Sequence, residues 1–268
     1  MPLPTSPRCV ITGAASGFGR ALALVLAERQ ARLVLADVDV AGCEETARLA
    51  REAGAREAKA VPCDVTRIED VQSLSSATDG EIDLLINNAG VASAGRIGEL
   101  PLEDWRWTLE VDLFGVIHGC HVFVPRLREQ GHGHVLNVAS AAGLISPPHM
   151  AAYNVAKAGV IALSETLKAE LAGTGVGVTV ACPTFFRTHL IDTGRFTDPS
   201  LQRIGARWMA RGQRAEDVAR AALQAVDRQA LYTLPMADGR WLWRLKRLAP
   251  GPFGRLVARF GKSLESGR

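Results

Sequence analysis

No segment of this 268-residue chain comes near the ~20 consecutive apolar residues that a bilayer-spanning helix needs. Residues 1–7 carry no long apolar stretch ahead of the first apolar run, so a secretory leader is not expected. Cysteine is sparse and odd in number: Cys9, Cys43, Cys63, Cys120 and Cys182 are dispersed, without metal-ligand or redox-pair spacing. That argues against a disulfide scaffold and fits buried or incidental thiols in a reducing cytoplasm. The six histidines make no ligand pattern; His118 and His121 are three apart, but no third ligand is near them in sequence. Internal repeats and low-complexity linkers are lacking as well. A cytoplasmic protein without a metal is the expectation.

What the chain does have is a recurring alternation. Short apolar runs at Val10-Ile11, Leu33-Val34-Leu35, Leu84-Leu85-Ile86, Val135-Leu136 and Val178-Thr179-Val180 are separated by amphipathic stretches of helical length. This pattern predicts one α/β domain, a doubly wound parallel sheet of Rossmann type with helices on both faces. Right-handed crossovers then place any ligand at the carboxyl ends of the strands.

The first such end is the most specific. Arg8–Thr12 reads as a buried strand, Gly13-Ala-Ala-Ser-Gly17-Phe-Gly19 follows, and a helical pattern opens with Leu22, Val25 and Leu26 on one face. A strand, a glycine turn and a helix start suit a pyrophosphate, because free N–H groups and the helix dipole favour anions. Gly13 would allow the tight turn, Gly17 the approach of backbone to phosphate, and Gly19 helix–strand packing. The next strand, Arg32–Ala36, ends at Asp37, 24 residues after Gly13. A carboxylate there accepts from ribose hydroxyls and repels a 2′-phosphate. With Ser16 rather than Arg or Lys before Gly17, NAD is favoured over NADP. Asp37 can also be read as a helix cap, a role that suits Asp39 better.

Tyr153 and Lys157 are four apart, thirteen and seventeen residues after Ser140. On a helix they share a face. The Lys157 ammonium beside the phenol is expected to lower the Tyr153 pKa and make it a working acid and base.

With these residues in place, the chain resembles the short-chain dehydrogenase/reductase family over roughly residues 8–235. Thr12-Gly-x-x-x-Gly-x-Gly19 looks like its nucleotide turn, Cys63-Asp64-Val65-Thr66 like its adenine segment, and Asn87-Asn88-Ala89-Gly90 like its central-strand motif. Ser140, Tyr153 and Lys157 match its catalytic trio, and Pro183–Thr188 resembles the segment that holds the nicotinamide. The resemblance implies cofactor contacts at Gly13, Ser16, Gly17, Phe18, Gly19, Asp37, Asp64, Val65, Asn88, Ala89, Gly90, Tyr153, Lys157, Pro183 and Thr188. Ser140 would position the reacting oxygen, Tyr153 transfer the proton, and Lys157 hold the nicotinamide ribose. Two positions depart from the family pattern. Asp112 stands where the family has an Asn that supports a proton relay to the Lys. Asp112 either substitutes through its backbone carbonyl in a distorted helix, while favouring the ammonium, or impairs the relay. Thr184 replaces a Gly, so the backbone there must avoid a positive φ.

The expected activity is NAD(H)-dependent interconversion of a secondary alcohol with a ketone or aldehyde. A partly helical lid is expected over residues 189–212, where arginines alternate with Leu190, Ile191, Phe196, Leu201, Ile204, Trp208 and Met209. Its apolar side, with Val91, Leu144, Ile145, Phe185 and Phe186, suggests an apolar or lipid-like substrate. Residues 239–268, set apart from a 1–238 catalytic domain, hold eight Lys or Arg and one Glu, whereas the remainder holds 23 basic and 27 acidic residues. Phe253, Leu256, Val257, Phe260 and Leu264 recur at helical spacing in this tail, with Pro250 and Pro252 expected to split it. Packing on the tail's own domain or on a partner subunit is favoured; peripheral membrane contact is the alternative. Nucleic-acid binding is not expected, since the basic segment has no reading motif. A homodimer or homotetramer through helices near 103–129 and 151–172 is implied by the resemblance. Competing functions are a non-catalytic NAD(H)-binding redox sensor and a peripheral membrane protein acting through the tail.

Overall fold

The computed structural model describes residues 2–266; Met1 and the last two residues of the basic tail, 267–268, lie outside the described residues. Seven strands form one parallel sheet: β1 (Arg8–Thr12), β2 (Arg32–Asp37), β3 (Glu57–Pro62), β4 (Leu84–Asn87), β6 (Gly133–Val138), β7 (Val176–Ala181) and β9 (Tyr232–Thr233). Their order is β3-β2-β1-β4-β6-β7-β9, with every pairing parallel. The order reverses between β1 and β4, and a crevice opens at the carboxyl ends of strands at such a switch point. A second, two-stranded parallel pair joins β5 (Ser93–Ala94) to β8 (Arg195–Phe196).

Alternation along the strands divides the core into two layers. Cys9, Ile11, Leu33, Leu35, Leu84 and Ile86 face one side, where α1 (Gly17–Ala27), α2 (Val40–Glu52) and α9 (Ala215–Asp227) pack. Val10, Val34, Ala36, Leu85 and Val135 face the other, against α3 (Ile68–Ser76), α5 (Gly115–Gln130) and α7 (Ala151–Glu170). Burying apolar area on both faces at roughly 25 cal/mol per Å² makes the sheet the stable frame on which the site rests. Asp39 caps α2, its carboxylate accepting from the Gly42 N–H at 3.0 Å. Gly131, at φ +71°, ends α5 in the left-handed conformation that glycine adopts without strain.

The long segment before β6 is not one regular helix. α4 (Leu102–Leu109) runs into a π-helical turn, Glu110–Phe114, before α5 begins. Such turns widen a helix and redirect its side chains, often at functional sites. The remaining helices are α6 (Ala141–Ile145), α8 (Pro199–Arg211), α10 (Ala237–Leu248) and α11 (Pro250–Ser266). The tail therefore divides at Pro250, as its prolines lead one to expect. Among the described residues no helix is long and apolar enough to cross a membrane.

Candidate active site

A cleft of about 1280 Å³ runs from the turn after β1 to the C-terminal helices. Its floor is a locked turn. Gly13 and Gly17 take φ of +64° and +52°, so the chain reverses where other residues would be strained. Asn88 pins this turn: its amide donates to the Thr12 and Gly13 carbonyls, each at 2.9 Å. Thr12 Oγ1 in turn accepts from the Asn88 and Ala89 N–H groups at 3.0 and 3.2 Å. Thr12 is thus a hub of the site whose role the sequence motif did not reveal. A methyl group on Gly13 would come within 2.6 Å of the Ala89 Cα. Gly19 does not line the cleft; it lies behind the turn, where a Cβ would collide with the Gly13 carbonyl, which is the packing role expected of it.

The acidic residues along this rim are held by backbone. Asp37 accepts from the Ala15 N–H at 2.9 Å through one oxygen and from the Asp39 N–H at 3.0 Å through the other. Two acceptor bonds leave lone pairs of the carboxylate directed to the cleft that Asp37 lines. Asp64 accepts from the N–H and hydroxyl of Thr66 at 2.9 and 2.7 Å, and Val65 beside it packs against Gly115. Ser16, Phe18, Asp64, Val65, Ala89, Gly90, Pro183 and Thr188 all line the same cleft. Thr188 supplies a test of fit: its buried hydroxyl has no hydrogen-bond partner, and its Cβ lies 3.4 Å from where a Cβ on Gly17 would sit. An orphaned donor beside a positive-φ turn and a helix start is what an anionic dinucleotide satisfies. The residues present fit one.

Ser140, Tyr153 and Lys157 converge on this cleft. Ser140 follows β6 by two residues and caps α6, its hydroxyl accepting from the Ala142 N–H at 3.1 Å and lying within hydrogen-bonding reach of both the Pro183 carbonyl, at 3.4 Å, and the Tyr153 phenol. Tyr153 and Lys157 lie on one face of α7, with the Lys157 nitrogen 5.5 Å from the Tyr153 ring centre. Lys157 Nζ also donates to the Val138 carbonyl at 3.3 Å.

The electrostatics differ from the expectation. Burial, then the Asp112 carboxylate, push the Tyr153 phenol pKa up rather than down, with the Ser140 hydrogen bond opposing them. Lys157 is ion-paired with Asp112, at 3.3 Å. Asp112 belongs to the π-helical turn, is completely buried, and accepts from the Val91 N–H at 2.7 Å. Burial pushes its own carboxyl pKa up against the attraction of Lys157. Asp112 does not line the cleft and touches Lys157 rather than the reacting space, unlike the catalytic placement expected of it. Gly90 makes room for the pair; a Cβ there would meet Asp112 Oδ1 at 3.3 Å and Lys157 Nζ at 3.4 Å.

Thr184 keeps its φ out of the left-handed region, and its hydroxyl donates to Asp238 at the start of α10 at 3.1 Å. Gly239 packs on the Thr184 methyl group, where a Cβ would meet it at 2.9 Å. The departure from glycine thus roots the C-terminal helices to the segment beside the cleft. Those helices supply walls that sequence reasoning did not assign: Phe253, Leu256, Val257, Phe260 and Leu264 line the cleft, opposite Trp107, Ile145 and Met150. Phe260 stacks on Trp208 of α8 at 5.7 Å, and Trp208 meets Phe185 at 5.0 Å. The apolar stripe of the tail was visible in sequence, and packing on its own domain or on a partner subunit was the favoured expectation; its place along the cleft was not foreseen. Phe186 is turned into the core against Phe18 at 5.0 Å.

Beneath the site, Asn87 donates to Asn137 at 2.8 Å and Asn137 to Ser164 at 3.0 Å, tying β4, β6 and α7 together. The signal for this network was a polar residue inside the run Val135-Leu136-Asn137-Val138. All five cysteines are free and buried.

Comparison with known proteins agrees with this geometry. The family described as short chain dehydrogenase matches residues 8–196. A "Probable oxidoreductase EphD" of Mycobacterium tuberculosis is 34% identical over 255 residues, covering 90% of this chain; the chain spans 43% of that relative's length. A short-chain dehydrogenase/reductase structure from Burkholderia phymatum in complex with NAD is 37% identical, with a TM-score of 0.83, covering 90% of this chain and 93% of that one. A short-chain dehydrogenase from Sphingobium yanoikuyae in complex with NADPH is 29% identical, with a TM-score of 0.76, over 88% and 91%. The chain belongs to the short-chain dehydrogenase/reductase family of oxidoreductases.

Proposed function

We propose that this protein interconverts a secondary alcohol with a ketone or aldehyde, using NAD(H), on an apolar substrate. The observation that carries this reading is the convergence of Ser140, Tyr153 and Lys157 on the cleft that begins at the glycine turn. The dinucleotide supplies or accepts the hydride when bound. Ser140 and Tyr153 hydroxyls hydrogen-bond the substrate oxygen, and Tyr153 gives up its proton to that oxygen in the reducing direction. Oxidation reverses the proton transfer. Burial, and then Asp112, favour the protonated phenol, the form that donates its proton in carbonyl reduction. Lys157, fixed by Asp112 and the Val138 carbonyl, presents its ammonium to the ribose hydroxyls.

Asp37 supports NAD over NADP, since its carboxylate is already fixed at the rim where a 2′-phosphate would sit. The apolar walls from α8 and α11 support a hydrophobic substrate, with residues 189–212 acting as a lid. Phe114 and Val155, 42% and 50% exposed on the π-turn and α7, support self-association through that helical face.

Incubation of purified protein with NADH and a panel of hydrophobic ketones tests this reading. Turnover should fall at least ~100-fold in Tyr153→Phe with NADH binding retained. Tight NADH binding with no turnover across the panel would point instead to a redox-sensing protein.

A further inference from the structure

The two C-terminal helices have opposite faces that do different things. Between Asp238 and Glu265 the chain holds seven Lys or Arg and no acid. Lys246 turns inward, donating to the Leu144 carbonyl at 2.6 Å. The other six are exposed: Arg240, Arg244 and Arg247 on α10, and Arg255, Arg259 and Lys262 on α11. On each helix the spacing i, i+4, i+7 makes a single stripe. The α10 stripe also carries Trp241, 58% exposed, and Leu248, 85% exposed.

The inner faces are already occupied. Phe253 is buried, Phe260 lies on Trp208, and Gly261 sits against Pro148 of the loop after α6. α11 therefore bridges the two rims of the substrate end of the cleft, and its apolar residues form the cleft wall.

We propose that the outer face of α10 and α11 docks on an anionic lipid bilayer. Clustered cations are drawn to acidic headgroups, while an exposed Trp and Leu on the same stripe insert at the interface. A nucleic acid would use the cations but give Trp241 and Leu248 nothing apolar to enter, and the remainder of the chain carries more acid than base. Docking places the wall of the cleft at the lipid surface, from which an apolar alcohol or ketone enters beneath α11. That delivery role rests on the dehydrogenase reading of the cleft; docking itself needs no turnover.

Flotation of the full-length protein with phosphatidylserine-containing vesicles, beside phosphatidylcholine vesicles, tests the proposal. The protein should float with the anionic vesicles and be released by raised salt. The triple variant Arg244→Gln/Arg255→Gln/Arg259→Gln should partition roughly 100-fold less, about fivefold per charge, with NADH affinity unchanged as the control for folding. Trp241→Ser should weaken partitioning at low salt while leaving its salt dependence unchanged. Absence of flotation, or equal flotation with neutral vesicles, overturns the proposal. So does a DNA duplex that binds as tightly as the anionic vesicles and is lost in the same variant. A protein that floats but reduces no ketone keeps the docking surface and sinks the enzymatic reading alone.

Discussion

Lys157 and Asp112 are ion-paired at 3.3 Å in the interior, with side-chain exposures of 4% and 0%. The pair fixes where the positive charge of the site resides. The same ammonium lies 5.5 Å from the centre of the Tyr153 ring, so the pair and the phenol are neighbours.

Asp112→Asn removes an anion that holds the Tyr153 proton in place, so the phenol pKa falls. The pH at which alcohol oxidation rises should move down by roughly one unit or more, with the high-pH loss of carbonyl reduction moving alongside. Profiles of kcat/KM against pH read this directly; coincident profiles would leave Asp112 without electrostatic influence on Tyr153. Asp112→Ala instead strands the Lys157 charge and should cost about 3–5 kcal/mol in denaturant unfolding.

Gly19→Ala forces a methyl group onto the Gly13 carbonyl. The turn must shift, costing about 1–3 kcal/mol of stability and weakening NADH binding, measured by fluorescence titration. A variant with wild-type affinity would show that the turn tolerates displacement.

Asp37→Asn keeps an acceptor for the Ala15 N–H but removes the charge. The ratio of kcat/KM with NADP to that with NAD should rise about tenfold, a change of ~1.4 kcal/mol. An unchanged ratio would remove Asp37 from cofactor choice.

His134 gives a stability prediction. Thr179 donates to the Ala230 carbonyl, so it accepts from His134 Nε2–H at 2.8 Å, while Gln229 donates to Nδ1 at 3.2 Å. Burial, aided by Lys168, lowers the His134 pKa to about 3 from its ordinary value of 6.5. The folded state keeps this imidazole neutral while the unfolded state binds a proton. Stability present above pH ~6.5 is therefore lost as pH falls toward ~3, at about 1.4 kcal/mol per pH unit from this group. His134→Gln should flatten that slope in urea unfolding series; an unchanged slope would assign acid sensitivity elsewhere.

Much of the frame was legible from sequence because five strands are apolar runs buried on both faces. β3 was not: Glu57-Ala-Lys-Ala-Val-Pro62 is an edge strand whose charged residues hide the pattern. The glycine turn and the Ser140, Tyr153 and Lys157 interval were readable because each depends on local spacing. The raised Tyr153 pKa was not, since it depends first on burial in the folded cleft and then on a carboxylate from another helix. Likewise, an amphipathic stripe announces that Phe253 and Phe260 need a partner surface, without saying that the surface is Trp208 and the mouth of the cleft.

The bond from Thr184 to Asp238 adds a tie that a glycine could not make to those of Lys246 with the Leu144 carbonyl and Phe260 with Trp208. Next to Thr184, in the segment that follows β7, the Pro183 carbonyl receives the Ser140 hydroxyl. The first turn of α10 and the Ser140 hydroxyl thus bond to neighbouring residues, Thr184 and Pro183, of one short segment.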